Sequence, residues 1–419
     1  MYFRFSIVPV CFLLFSIGYI TACSTDENRS LSLDIEAEDL EMHIRWLADP
    51  ELEGRLAGTR HEARAANYIA DYFMQFGLEP GGDDDTYLQS FTLEGPVTQA
   101  MGVEGHLSRN VIGIVPGLQE TDTYIVVGAH FDSQGMGGVI SLDTSDESVV
   151  HPGADDNASG TAGLLELAHF FSQFQPNRTL VFVAFSGEEL GLLGSRYFTD
   201  SSILPSGEII AMVNLDMIGR MEDNRLSVLG TGTASVWPDL IDSSNLDTLE
   251  ISQIARGTGA SDHASFYEKG IPVLHYFTGT HEDYHRPGDT ADKINYEGTT
   301  RVVLHAKRVI AGLDTLAVEE LEFIAGNRQQ QHRPMQGPML GVMPDYSFDG
   351  SGLKIENVRS GDPGDEAGMA DGDIIVEMNG ESVTDIYGYM ELIGKYNYGD
   401  RVEFLIVRNG EELLLEVQF

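Results

Sequence analysis

Four short apolar segments constrain the fold of this chain more than any other feature of its sequence. They read YIVVGAH, TLVFVAFSGEE, EIIAMVNLDMIG and IPVLHYFTG. Each is rich in valine, isoleucine or phenylalanine and lacks alternation of apolar with polar residues, which is typical of strands buried on both faces of a largely parallel sheet. Helical patterns such as SGTAGLLELAHFFSQF lie between them. The sequence therefore predicts an α/β fold of three layers, in which a mixed, mainly parallel sheet lies between two layers of helices.

The character of the sequence changes toward the C-terminus. The stretch NRQQQHRPMQGP, residues 327–338, is polar, rich in glutamine and contains two prolines, which predicts a linker between domains. Short β-like runs follow, and Asn409-Gly410 between two of them is a strong hairpin signal. We therefore predict a catalytic domain at 36–326 and a small β-rich domain at 339–419.

The N-terminal residues predict export. The apolar run SIVPVCFLLFSIGYITA follows a single positive charge and ends in small residues, as in a secretory signal, which we place at residues 1–22. The run ends in ITAC, which resembles the lipobox of bacterial lipoproteins. We therefore expect a lipid on Cys23, a tether at 23–35, and a bacterial membrane location facing the periplasm or the cell surface. An uncleaved transmembrane helix is the alternative.

The charge of the chain excludes one class of partner. The formal net charge is −41, from 25 basic and 66 acidic residues. A chain this acidic has little with which to neutralise phosphates, so we expect no binding to nucleic acid.

Carboxylates and imidazoles follow each of the apolar segments or lie in the loops between them. Because ligands gather at the carboxyl ends of strands in open α/β sheets, we expect these side chains to lie close together. Histidine nitrogens with carboxylate oxygens and no thiolate suit catalytic zinc, although an aspartate beside glycine is often only a turn or cap residue. The set is too large for one ion. Two ions that share one carboxylate, each with one histidine and one further carboxylate, would use five ligands. The candidates are His130, Asp132, Asp155, Asp156, Glu188, Glu189, Asp216 and His285.

In order and spacing, the motifs H-x-D, GADDNASG, SGEELGLLGS, NLDMIG and DYHRPGDT resemble those of dizinc exopeptidases of the bacterial leucyl aminopeptidase type. The resemblance covers roughly residues 36–320. It implies an aminopeptidase that hydrolyses the N-terminal bond of peptides with a free N-terminus, using a hydroxide shared by two zinc ions. It also implies a cis peptide bond between Asp156 and Asn157. The implied ligands are His130, Asp156 and Asp216 for one zinc ion and Asp156, Glu189 and His285 for the other.

The same resemblance assigns further roles. Glu188 matches the general base of the family, and Asp132 matches the carboxylate that orients His130. Tyr284 matches a tyrosine that hydrogen-bonds the oxyanion in some relatives. The segment SDHASF also recurs near the substrate cleft of the family, and a purely structural network is the alternative for it.

Residues 339–419 resemble a bacterial PDZ domain, on the stretches MLGVMPDY and GDPGDEAGMADGDIIVEMNGESV and the closing hairpin. The resemblance implies that the loop around Leu340-Gly341-Val342 holds the C-terminal carboxylate of a peptide, which adds to the sheet as an extra strand. The alternative is a β-rich module that only packs against the catalytic domain.

The stretch HEDYH, residues 281–285, formally matches the zincin signature H-E-x-x-H, which requires a helix so that both histidines share a face. Gly279, Pro287 and Gly288 surround it and predict a loop instead. We therefore expect His285 alone to bind metal, with His281 and Glu282 shaping the loop.

Three alternatives retain the fold or the site. A glutaminyl cyclase would use one zinc ion. A carboxypeptidase would need basic residues for the substrate carboxylate, for which Arg220, Arg256 and Arg286 are candidates. A catalytically inactive, lipid-anchored binding protein would act through its PDZ domain.

Overall fold

The apolar segments of the sequence form the centre of a large sheet. The computed structural model describes residues 31–119, 122–143, 148–204, 208–326, 338–345, 348, 350–359, 361–384 and 386–419. The predicted signal peptide, Cys23 and nearly all of the predicted linker lie outside the described residues. Leu33–Phe419 forms one compact unit that contains two sheets.

Within the described part of the chain, the first sheet has nine strands in the order β1-β3-β5-β4-β6-β9-β7-β8, with β2 beside β3. The four predicted segments are the central strands β5, β4, β6 and β9, which run parallel to one another. The neighbouring β3 and β7 join this centre in antiparallel orientation. The sheet is therefore mixed, with its parallel part at the centre. The strands are β1 (Glu79–Pro80), β2 (Leu88–Thr92), β3 (Leu107–Val115), β4 (Thr123–His130), β5 (Thr179–Phe185), β6 (Glu208–Leu215), β7 (Arg225–Leu229), β8 (Glu250–Ile254) and β9 (Val273–Phe277).

Helices cover both faces of this sheet, which confirms the predicted three layers. Helices α1, α2, α4 and α8 contact one another on one face. On the other face, Phe198 of α5 and Phe266 of α7 share a core cluster with Val126, Val183 and Met212 of the sheet. The helices are α1 (Ala37–Leu47), α2 (Arg60–Phe76), α3 (Pro96–Ala100), α4 (Gly160–Gln173), α5 (Leu193–Asp200), α6 (Trp237–Ser244), α7 (His263–Glu268) and α8 (Tyr296–Leu313).

The register of the parallel strands brings their carboxyl ends to one edge. His130 is paired with Phe185 across β4 and β5, and Leu215 with Tyr276 across β6 and β9. Each of these residues is the last or next to last of its strand. The residues that follow the strands therefore start from the same level of the sheet, where the sequence predicts the site.

The second sheet forms a separate β-rich domain. Its core cluster draws only on residues between Leu340 and Phe419. In the hairpin β14–β15, Asn409 and Gly410 have φ angles of 52° and 83°, as a type I′ turn requires, which confirms the predicted hairpin. The elements are β10 (Val342–Pro344), β11 (Leu353–Val358), α9 (Pro363–Glu366), β12 (Ile374–Met378), β13 (Glu381–Ser382), α10 (Ile386–Ile393), β14 (Arg401–Arg408) and β15 (Glu411–Gln418).

Hydrogen bonds between described residues join this domain to the first one. Arg256 donates to the carbonyl oxygen of Phe348 at 2.9 Å, and Arg286 donates to Oδ1 of Asn357 in β11 at 3.1 Å. Among the described residues, no helix combines the length and the hydropathy needed to cross a membrane.

Candidate metal centre

The predicted ligands meet at the carboxyl edge of the parallel strands. His130 ends β4 and Asp216 directly follows β6. Glu189 lies in the turn after β5, and His285 lies in the loop after β9. Asp156 belongs to a short, irregular helical segment, Ala154–Ser159, that leads into α4.

Two groups of three side chains share Asp156. His130, Asp156 and Asp216 form the first group, and Asp156, Glu189 and His285 form the second. Within each group the donor atoms all lie within 4.8 Å of one another. Nε2 of His130 lies 3.3 Å from Oδ1 of Asp156, and Nε2 of His285 lies 3.2 Å from Oδ2. One carboxylate thus presents one oxygen to each imidazole.

The spacing within each group fits a zinc ion. Nε2 of His130 is 3.3 Å from Oδ1 of Asp216, and Nε2 of His285 is 3.4 Å from Oε2 of Glu189. Two atoms that each lie about 2.0–2.1 Å from a tetrahedral zinc ion are about 3.3–3.4 Å apart. The donors are nitrogen and carboxylate oxygen, which zinc accepts. Both groups therefore have the chemistry and the spacing of a zinc site.

The buried carboxyl groups of the centre also favour the binding of cations. Burial, together with the charge of Asp156, raises the pKa of Glu189 to about 8, and burial raises the pKa of Asp132 to about 6. Oε1 of Glu189 has no hydrogen-bond partner among the described residues. Buried carboxylates are costly unless they are paired or bind metal, so divalent cations would stabilise this cluster.

Glu188 lies beside the two groups without belonging to either. Its Oε2 is 3.9 Å from Nε2 of His130, and its backbone N–H donates to Oδ1 of Asp132 at 3.2 Å. Asp132 thus positions the turn that carries Glu188. Nδ1 of His130 lies 3.2 Å from the backbone carbonyl oxygen of Asp132 and 3.8 Å from its carboxylate. Both the main-chain carbonyl and the carboxylate of Asp132 therefore lie beside Nδ1 of His130, and the carbonyl is the nearer of the two.

Tyr284 lies next to the second group. Its ring stacks on the imidazole of His285 with centroids 3.8 Å apart. It also packs against the cluster that contains Met217 and Phe277. The structure thus places Tyr284 at the centre.

The loop that carries HEDYH is not helical, as predicted. Residues 282–285 form turns, and His285 has a φ of 54°. His281 belongs to neither group, and its Nε2 lies 3.2 Å from Oδ2 of Asp155. The two histidines contact different aspartates, so the segment is not a zincin site. The predicted cis peptide bond between Asp156 and Asn157 is present.

Asp155 does more than cap a helix. Its Oδ1 accepts hydrogen bonds from the N–H of Gly219 at 2.6 Å and from Ser159 at 3.1 Å. With the contact to His281, it joins the loops after β6 and β9 to the segment that carries Asp156.

The SDHASF segment is tied to the strands behind the site. Asn214 of β6 donates to Ser261 at 2.8 Å, and the ring of His263 stacks on His275 of β9 at 4.3 Å. Burial raises the pKa of Asp262 to about 7. These contacts favour the structural interpretation of the segment.

Sequence reasoning missed two residues that hold the centre together. Arg55 donates to the main-chain carbonyls of Phe131, which follows His130, and of Gly153, in the loop that leads to Asp156. Asp289 accepts from the N–H groups of Asp155 and Asp156. A signal existed for Asp289, which lies in the matched stretch DYHRPGDT, but none distinguished Arg55.

Comparisons with known proteins agree with this arrangement. Residues 110–310 match the model of peptidase family M28, and residues 329–419 match that of the PDZ domain. The chain is 39% identical over 109 residues to a probable zinc metalloprotease of Pyrenophora teres f. teres, covering 26% of this chain and 22% of that protein. It is 30% identical over 207 residues to aminopeptidase YwaD of Bacillus subtilis, covering 45% and 41%. The chain thus spans less than half of the length of either relative.

The fold is similar to that of BSAP, a zinc aminopeptidase from Bacillus subtilis. The TM-score is 0.54 at 18% identity, over 70% of this chain and 99% of that chain. At such low identity this similarity concerns the fold alone. The family matches thus identify a peptidase family M28 region at residues 110–310, followed by a PDZ domain at residues 329–419.

Proposed function

We propose that this protein is a zinc aminopeptidase that binds two zinc ions and removes the N-terminal residue of peptides. The carrying observation is the shared carboxylate: Asp156 directs Oδ1 toward His130 and Oδ2 toward His285. A carboxylate between two otherwise complete ligand groups is expected of a two-metal site. The names of the relatives, a zinc metalloprotease and an aminopeptidase, support the same activity.

His130, Asp156 and Asp216 would hold one ion, and Asp156, Glu189 and His285 would hold the other. When bound, zinc supplies polarisation of the substrate carbonyl and a lowered pKa of coordinated water. The protein supplies the remaining parts: ligands at the carboxyl edge of the sheet and a proton acceptor.

Glu188 is the proposed proton acceptor. Its carboxylate is 3.9 Å from Nε2 of His130 and therefore next to the ligands of the first group. It takes a proton from the attacking water as the new C–O bond forms, and delivers it to the leaving amine as the C–N bond breaks. Tyr284, stacked on His285, is the proposed donor to the oxygen of the attacked carbonyl.

The arginines that a carboxypeptidase would need have other partners. Arg220 is paired with Asp283 at 3.2 Å. Arg286 donates to Leu142 and Asn357, and Arg256 donates to Phe348. These contacts favour an aminopeptidase. A glutaminyl cyclase binds one zinc ion and would not need the second ligand group. An inactive binding protein would need neither ligand group.

The experiment is a substrate panel combined with zinc analysis of the full-length protein. We expect release of the first residue from peptides with a free N-terminus and no cleavage when the amine is blocked. Hydrolysis that requires a free C-terminus would show a carboxypeptidase, and cyclisation of N-terminal glutamine would show a cyclase. Bound zinc with no activity on any substrate would favour the binding protein.

The membrane anchor and the PDZ ligand belong to the same proposal. The ITAC motif supports a lipid on Cys23 and a bacterial membrane location, facing the periplasm or the cell surface. The PDZ match supports a C-terminal peptide ligand near Leu340–Val342. Metabolic labelling with a fatty acid, compared with a Cys23→Ala variant, tests the anchor.

A further inference from the structure

The loop that carries Asp156 lies between two buried side chains, a guanidinium and a carboxyl group. Arg55, in the segment between α1 and α2, is 0% exposed. Asp289, in the loop after β9, is 2% exposed. Neither residue belongs to a ligand group, and Arg55 lies outside the residues that match the peptidase family.

The guanidinium of Arg55 binds only main-chain carbonyls among the hydrogen-bond partners that the structure describes. One acceptor, Phe131, directly follows His130, and two others lie in the loop that leads to Asp156. The planar group with donors in fixed directions therefore joins the end of β4 to this loop. The acceptors are Leu47, Phe131 at 2.8 Å, Pro152 at 2.6 Å and Gly153 at 3.0 Å.

The carboxylate of Asp289 binds the next amides of the same loop. Both of its oxygens lie 3.0 Å from the N–H nitrogen of Asp155, and Oδ2 lies 3.0 Å from that of Asp156. Its own carbonyl oxygen accepts from the N–H of Ala154 at 3.2 Å. The loop thus meets a guanidinium at its carbonyl groups and a carboxyl group at its amide groups, which matches the main-chain dipoles.

We propose that Arg55 and Asp289 are positioning residues that clamp this loop and thereby set the metal affinity of both ligand groups. The reason is geometric. Asp156 serves both groups with different oxygens, so a small rotation of its backbone moves one oxygen from each group at once. The side chains of Arg55 and Asp289 fix the peptide groups on which that rotation depends. This inference deepens the proposed function and rests on it.

The test uses the full-length chain, freed of metal by chelation, and the variants Arg55→Lys and Asp289→Asn. Zinc affinity is measured by competition with a chromophoric chelator, and site geometry by the visible spectrum of the cobalt form. Lysine keeps the charge but cannot reach four carbonyls, and asparagine keeps the shape but replaces one acceptor by a donor. We expect each variant to bind zinc about 10–100-fold more weakly and to show an altered cobalt spectrum.

Arg178 provides a matched control. It is also buried, and it donates to main-chain carbonyls of Leu313 and Asp314 at 3.1 and 2.9 Å, as well as to that of Leu316. It lies just before β5 begins, whereas the ligands follow the strand ends. Arg178→Lys should lower the thermal stability of the metal-free chain but leave zinc affinity and the cobalt spectrum at the parental values.

The outcomes separate the clamp from the proposed function. Failure of the parent chain to bind zinc would refute the function on which the clamp rests. Parental affinity and spectrum in both folded variants would overturn the clamp alone. If Arg55→Lys does not fold, the zinc affinity and cobalt spectrum of Asp289→Asn decide the proposal. If neither variant folds while Arg178→Lys does, the residues are purely structural, and the proposal is overturned as well.

Discussion

At the residue scale, the two adjacent glutamates after β5 have different surroundings. Glu189 lies 3.4 Å from His285 and belongs to a ligand group, whereas Glu188 belongs to neither. Glu188→Gln should therefore keep the bound zinc and lose about 10²–10⁴ in turnover, since it removes only the proton acceptor. Glu189→Gln should weaken zinc binding instead. Elemental analysis beside kcat measurements distinguishes them, and a zinc-deficient Glu188→Gln would reverse the two assignments.

The two histidines of HEDYH offer a second test at this scale. His285 faces Asp156 and Glu189, while His281 faces Asp155. His285→Ala should lose zinc from at least one group and nearly all turnover. His281→Ala should retain both zinc ions and much of the activity, because Asp155 keeps its bonds to Gly219 and Ser159. Equal zinc loss in the two variants would contradict the assignment.

Four of the five proposed ligands could be predicted from the sequence because they end or follow strands with a clear apolar pattern, whereas Asp156 lies in the loop before α4. Arg55 and Asp289 could not be assigned roles, because they act through main-chain carbonyls and amides. Arg55 reaches Gly153 across 98 positions, and Asp289 reaches Asp155 across 134. Every residue has a peptide group, so the sequence of this loop does not indicate which distant side chain binds it.

At the scale of elements, the central strands were predictable and the outer ones were not. β4, β5, β6 and β9 are buried on both faces and show it by unbroken apolar runs. β8 is largely exposed and reads EISQI, which no apolar pattern distinguishes from a loop. The antiparallel attachment of β3 and β7 also depends on pairing between distant segments, which local pattern does not determine.

Helices α1 and α4 bury a carboxylic acid beside an imidazole, and neither side chain belongs to a ligand group. Oε1 of Glu166 lies 3.7 Å from Nε2 of His43, and His43 contacts Tyr68 of α2 at 2.8 Å. Burial, with the charge of Asp39, raises the pKa of Glu166 to about 8. The charge of His169 opposes this rise, and that of Glu36 adds to it. Burial lowers the pKa of His43 to about 3, so this imidazole is neutral at physiological pH.

The pH dependence of stability follows from these shifts. Above the ordinary pKa of Glu166, 4.5, the folded chain keeps a proton that the unfolded chain has lost, so the free energy of unfolding falls as pH rises toward 8. His43 acts in the opposite direction, but only below its ordinary pKa of 6.5. Between pH 6.5 and 8, the proton held by Glu166 should therefore lower the free energy of unfolding by roughly 2 kcal/mol, at about 1.4 kcal/mol per pH unit.

Glu166→Gln should remove this part of the decline. Urea unfolding of parent and variant at pH 6.5 and 8 measures it, and the difference between the two proteins cancels the contribution of the metal centre. An equal decline in both would show that Glu166 is ionised in the folded chain.

At the scale of the whole molecule, the PDZ domain contacts the loop that carries His285 but has its own core. Arg286 donates to Asn357, yet it also donates to Leu142 at 3.3 Å and to Glu282 within the first domain. The cluster between Leu340 and Phe419 contains no residue of the first domain. Residues 36–326 should therefore fold alone and retain hydrolysis of small aminoacyl substrates. Hydrolysis by the truncated chain is measured beside that of Asn357→Ala in the full chain, which removes the acceptor for Arg286. Loss of the activity on truncation would mean that the PDZ domain completes the active site.

The central claim is that two zinc ions share Asp156, and zinc content per chain tests it most directly. Elemental analysis of the full-length protein should give two zinc ions per chain. Asp216→Ala should retain the zinc ion of the second group, and Glu189→Ala should retain that of the first. Asp156→Ala should bind both zinc ions more weakly. A parent chain that binds one zinc ion at saturation, or an Asp156→Ala variant that keeps two with unchanged affinity, would contradict the account.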